Sequence, residues 1–146
     1  MVSKLITGVL FGLFAMMVSS QVSAQVDKRQ SLMKDNSAAN KAIKGAVEAK
    51  DYATVEAKAK DIMGNADKIV SFFPKGSETG KTKATPAIWE KSEDFGKAAK
   101  NLSKAAGELA SAAKAGNDAD VGVKVKALGD QCGACHKAFR AEKYAE

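Results

Sequence analysis

Tyr52, Val55, Ala59, Ile62, Ala66, Ile69 and Phe73 recur at alternating spacings of three and four residues. That period places them on one face of a helix and excludes a strand, whose side chains change face at every residue. Ile88, Ser92, Phe95, Ala99, Leu102, Ala106, Leu109 and Ala113 keep the same period after Thr85 and Pro86, a capping residue followed by proline at the first helical position. Gly116 should stop this helix, and Asn117 or Asp118 can cap another, with the stripe Val121, Val125, Leu128, Cys132, Cys135 and Phe139. Upstream, Leu32, Met33, Asn36, Asn40, Ile43 and Val47 predict a helix near residues 27–48. No run of alternating β-branched residues appears, so strands are not expected. The links are short at Lys50-Asp51 and at Gly116, and longer at PKGSETGKTKAT, residues 74–85, a glycine-bearing polar stretch. Short links join antiparallel neighbours, so the pattern predicts an all-α fold, an antiparallel up-down-up-down four-helix bundle.

The N-terminus reads as an export leader rather than part of that bundle. One lysine precedes an apolar run over residues 5–18, and Val22-Ser23-Ala24 is the small-x-small pattern at which signal peptidase cuts. The run is shorter than the roughly 20 residues a membrane-spanning helix needs. The expectation is a signal peptide over 1–24, cleaved near Ala24, and one periplasmic domain over 25–146 with no membrane span. Lys4 leaves with the leader, which takes the net charge from +6 to +5. The lysines are spread along the chain without a basic stripe or an aromatic platform, so nucleic acid is not an expected partner.

Many stripe positions are alanine, which packs helices closely but buries little area at about 25 cal/mol per Å2. Such a core calls for a filler, and one motif supplies it. Cys132-Gly133-Ala134-Cys135-His136 holds both cysteines and the single histidine of the chain. C-x-x-C-H is the attachment signature of c-type haem. Residues three apart share a helix face, so both thiols can reach the two vinyl groups on one haem edge, and the adjacent imidazole can turn to the iron. Gly133 and Ala134 are small where a flat ring approaches the backbone. A disulfide between these cysteines would close a tiny loop and stabilise little. A thioredoxin-like pair belongs in a βαβ unit, and a zinc site would want four ligands. The expected cofactor is therefore haem c, one per chain, with Cys132 and Cys135 as thioether anchors and His136 as the proximal axial ligand. With its only histidine committed to iron, the chain offers no general base or nucleophile, so it is not expected to be an enzyme.

A haem motif near the end of a four-helix chain resembles the class II c-type cytochromes, the family of cytochrome c′ and its low-spin relatives of the cytochrome c-556 type. The resemblance is carried by RQSLMKDN in the first helix, TKATPAIW ahead of the third and CGACHKAFR near the end. It implies that Arg29 and Gln30 contact the haem edge and propionates, and that Met33 faces the far side of the iron. It implies that Thr82 lies near the haem, although Lys81 stands where the family often has an acid, and that Arg140 crowds the proximal side. Two functions are compatible with it. In the first the protein is an electron carrier with Met33 as distal axial ligand and periplasmic redox proteins as partners. In the second Met33 only packs on the ring, and a five-coordinate iron takes nitric oxide or carbon monoxide. A monomer and a homodimer are both compatible with the polar, alanine-rich first helix.

Overall fold

The computed structural model describes residues 3–143, with side chains from residue 22 onward. The leader's apolar run over 5–18 lies outside the described side chains. Five α-helices form: α1 (Ser3–Glu48), α2 (Tyr52–Ile69), α3 (Ala87–Glu90), α4 (Ser92–Ala115) and α5 (Asp118–Phe139). Four are long, and α3 is a single turn.

Each long helix begins or ends where its sequence dictates. Lys50 takes a positive φ of 56° to turn the chain, and Asp51 caps α2 by accepting from the Thr54 amide at 3.1 Å. Gly116, at φ 68°, ends α4 in the left-handed conformation that a side chain would strain. Asn117 then caps α5 through the Asp120 amide at 3.2 Å.

Cross-helix contacts fix the directions. Asn65 of α2 donates to Asn36 of α1 at 2.8 Å, while Arg29, nearer the start of α1, reaches Phe72 just past the end of α2. Along α2 and α4, Met63 lies against Gly107 and Phe73 against Phe95. On α4 and α5, Glu108 pairs with Lys124 at 2.9 Å and Phe95 meets Phe139 edge to face at 5.2 Å between ring centroids. Each sequential pair of long helices is antiparallel, which is the expected up-down-up-down bundle. Of the helix pairs bordering one another around it, α1 and α5 touch least.

The inward stripes are those of the sequence. Val55, Ala59, Ile62, Ala66 and Ile69 of α2 are buried, as are Phe95, Ala99, Leu102, Ala106, Leu109 and Ala113 of α4. Fully buried Ile43, Ile62, Leu109 and Leu128 anchor the core, each contributing about 1.5–3 kcal/mol relative to exposure. Ten of the 23 buried apolar residues among those described are alanine, so area per residue is low and close helix approach replaces it.

Two boundaries differ from the sequence expectation. The first helix does not start near residue 27 but runs on unbroken from Ser3, because no proline interrupts the chain there. The third stripe is not one helix from Pro86. Pro86 is the cap residue of α3, the Thr85 hydroxyl is buried without a hydrogen-bond partner, and the backbone breaks at Lys91 (φ −119°, ψ 48°) before α4 begins. Ser92, assigned to the inward stripe, is accordingly exposed. Tertiary bonding sets this kink: the Trp89 indole donates to the carbonyls of Phe73 at 3.1 Å and Pro74 at 3.0 Å.

Candidate functional site

The last two turns of α5 carry the cysteines and the histidine. Cys132 and Cys135 are free thiols, half-buried and packed against the apolar core. Burial pushes both thiols above their ordinary pKa, so they are protonated at neutral pH. His136 follows at the edge of this face. Partial desolvation and, second, the Arg140 cation lower its pKa, which keeps the imidazole neutral at pH 7 with a lone pair available to a metal. It makes no hydrogen bond to another described side chain.

The surroundings of these groups are open. A side-chain carbon added at Gly129 or Gly133 would meet nothing within 4 Å. A groove of about 410 Å3 opens beside Cys135 between α4 and α5, bordered by Ala87, Ala98, Ala134, Ala138 and Phe139 together with polar side chains. Two free thiols on one helix face, a neutral unpartnered imidazole next to them and small residues around them fit covalent haem. Among the described residues no three histidine, cysteine or acidic side chains gather closely enough to hold a metal ion by themselves, so the three groups of α5 suit a tethered ring rather than a bare ion.

A loop braces this end of the molecule. Ala84 forms an antiparallel bridge with Arg140. The Thr85 amide donates to the Phe139 carbonyl at 3.1 Å, and the Ala141 amide to the Lys83 carbonyl at 2.8 Å. The loop is tied to α1 as well. Buried Arg29 donates through Nε to the Phe72 carbonyl, through one terminal nitrogen to the Ser77 carbonyl at 3.0 Å, and through the other to the Ser77 hydroxyl. Its guanidinium lies 4.3 Å from the Phe73 ring centroid and 5.7 Å from that of Trp89, within cation–π range. Burial lowers the Arg29 pKa, and Glu78 partly offsets that. Gln30 donates to the Lys81 carbonyl at 3.2 Å. Because that contact uses the backbone, it is indifferent to the lysine that stands where the family often has an acid. Thr82 is buried and its hydroxyl accepts from the Ala84 amide at 3.1 Å.

Arg29, Gln30, Thr82 and Arg140 are thus linked at the end of the bundle where α5 finishes, through contacts of α1 with the loop and of the loop with α5. Arg140 itself is exposed, one turn past His136. Met33 is half-buried against the core. On α1 it stands between Gln30, which bonds the loop clipped to α5, and Asn36, which bonds α2. Ser77 is the residue the sequence did not single out. Pro74-Lys75-Gly76-Ser77 forms a turn with Gly76 at φ 86° and the Ser77 hydroxyl donating to the Pro74 carbonyl at 2.6 Å. The P-x-G-S string signals the turn; that its serine would hold Arg29 has no local signal.

Comparison with known proteins agrees with this geometry. The sequence model of the family described as Cytochrome C' matches residues 24–140. Cytochrome c-556 of Agrobacterium tumefaciens (strain B2A) is 37% identical over 124 residues, covering 83% of this chain and 100% of that one. Cytochrome c' of Rhodospirillum rubrum is 45% identical over 85 residues, 58% of each chain, so the match spans less than two thirds of that relative. Among solved structures, cytochrome c' from Thermochromatium tepidum superposes with a TM-score of 0.76 at 28% identity, covering 83% of this chain and 97% of that one. The chain belongs to the cytochrome c′ family of class II c-type cytochromes, whose cofactor is covalently attached haem c with iron.

Proposed function

We propose that this chain is a periplasmic electron-transfer cytochrome in which Cys132 and Cys135 tether one haem c, with His136 and Met33 as its axial ligands. The observation that carries the ligand assignment is the placement of the methionines. Met63 lies over Gly107, 3.3 Å from where a side-chain carbon there would sit, on the flank where α2 meets α4. Met33 instead is half-buried against the core, three residues after Gln30, which bonds the loop clipped to α5, and three before Asn36, which bonds α2. Histidine and methionine together raise the reduction potential of haem iron and leave it no open position, which suits one-electron exchange.

The protein side of the mechanism is positional. Thioether bonds from Cys132 and Cys135 would hold one edge of the ring beside α5, and neutral His136 would offer its lone pair without first losing a proton. Arg29 uses three of its five N–H groups on Phe72 and Ser77, which leaves two for a propionate. Gln30, Thr82 and Arg140 complete the same end and would border the haem edge. Residues 1–24 act as the leader, a reading supported by the family match beginning at residue 24. Among the described residues no helix is long and apolar enough to cross a membrane.

The second reading is a five-coordinate cytochrome c′ that binds nitric oxide or carbon monoxide, and the similarity to the Rhodospirillum rubrum protein favours it. Electron paramagnetic resonance of the ferric protein separates the two. A low-spin signal that Met33→Ala converts to high spin, with rapid carbon monoxide binding in the ferrous state, is the expected result. A high-spin wild-type signal unchanged by Met33→Ala would move the protein to the gas-binding reading.

A further inference from the structure

We infer that the end of the bundle formed by residues 74–85 and 136–143 is the docking face for an acidic redox protein, one that presents clustered carboxylates. This inference rests on the electron-transfer reading above. The two segments are joined by the Ala84 and Arg140 bridge, by the Thr85 and Ala141 amide bonds and by the Lys83 ammonium, which donates to the Glu142 carbonyl at 2.7 Å. They hold Lys75, Lys81, Lys83, Lys137, Arg140 and Lys143 against only Glu78 and Glu142. Twenty residues therefore carry a net +4 of the +5 on residues 25–146.

The opposite end has the other sign. The two links there, residues 48–51 and 114–120, are brought together by Asp118, which accepts from Tyr52 at 2.6 Å and Lys50 at 3.1 Å. They contain Glu48, Asp51, Asp118 and Asp120 against Lys50 and Lys114, a net −2. The links at the two ends thus differ in sign, with Glu90 of α3 and Glu93 and Asp94 at the start of α4 moderating the cationic end, and α5 spans about 33 Å between the ends at 1.5 Å per residue. His136 opens the second cationic segment, so the positive pole surrounds the end where the haem is tethered. A field of this shape turns an approaching acidic protein toward the haem edge before contact.

An anionic membrane is the less favoured occupant. The only aromatic residue within the two segments, Phe139, is buried in the core. Among the described residues of the two segments, the exposed apolar side chains are small ones such as Pro74 and Ala138, which give a bilayer little to hold.

The test uses the haem-loaded mature protein and reduced flavodoxin, a small acidic redox protein, with stopped-flow rates followed against ionic strength. A triple charge reversal, Lys75→Glu, Lys137→Glu and Lys143→Glu, should lower the second-order rate at least about tenfold at low salt. The gap should close as salt rises. An equal reversal elsewhere, Lys41→Glu, Lys44→Glu and Lys100→Glu, should cost less than about threefold. Equal losses in the two triple variants would overturn the docking face while leaving electron transfer standing. Failure of the wild type to exchange electrons with either flavodoxin or a small cationic complex such as hexaammineruthenium would overturn both. Salt-sensitive binding to phosphatidylserine vesicles that the first triple variant loses, with its flavodoxin rate unchanged, would assign the face to a membrane instead.

Discussion

Arg29 is the residue on which the site end turns, since it is buried, charged and bonded to two carbonyls and a hydroxyl of the segment that follows α2. Removing it leaves those acceptors to water, and a hydrogen bond to a charged group contributes a net of about 1.5–3 kcal/mol. Arg29→Ala should lower the unfolding free energy of the haem-loaded protein by about 2–4 kcal/mol in urea titration. Arg29→Lys should recover little of it, because an ammonium cannot reproduce the planar fork. A large shift in the haem midpoint potential with unchanged urea stability would show instead that Arg29 serves the propionates and not the loop. The cofactor was legible where chemistry leaves few choices: two thiols and a lone imidazole in five residues point to covalent haem, the cofactor of the family. The partners of Arg29 were not, because Phe72 and Ser77 offer it mainly backbone carbonyls, and a carbonyl has no residue type to read.

At the scale of elements, the two links far from the haem are set by small, separable interactions. Gly116→Ala places a side chain at φ 68° and should cost about 1 kcal/mol, visible as a lower urea midpoint with an unchanged slope. Asp118 is held below its ordinary pKa of 3.8 by the Tyr52 hydroxyl first and by Lys50 second. A depressed carboxylate pKa contributes stability above 3.8 and loses it as pH falls through the folded value. Tyr52, raised above its ordinary 10.0 mainly by the same hydrogen bond, contributes below pH 10 and loses its contribution as pH rises through the folded value. Asp118→Asn should therefore flatten both limbs of a stability-against-pH profile measured by thermal melting. A variant whose limbs match the wild type would remove this cluster from the account. The four long helices were legible because each carries its own stripe and its own cap. The break at Lys91 was not. Ala87 to Ala113 is rich in good helix formers, and only the pull of Trp89 on the Phe73 and Pro74 carbonyls interrupts it.

The molecule as a whole should depend on its cofactor for cohesion. Alanine makes up ten of the 23 buried apolar positions described, and α1 and α5 touch least of the neighbouring long helices. A group that binds only the folded state stabilises it. A Cys132→Ser/Cys135→Ser variant exported without haem should keep helical far-ultraviolet dichroism but melt broadly, at least about 10 °C below the haem-loaded protein. A cooperative transition at the temperature of the parent would mean that the alanine-rich core is complete by itself. Covalent attachment after export is the claim on which the site, the core and the redox reading all stand. Denaturing mass spectrometry of protein exported beside a c-type maturation system tests it most directly. The account predicts the mass of residues 25–146 plus one haem, retained under denaturation and lost in the double serine variant. A mature chain of bare polypeptide mass under the same conditions would contradict it.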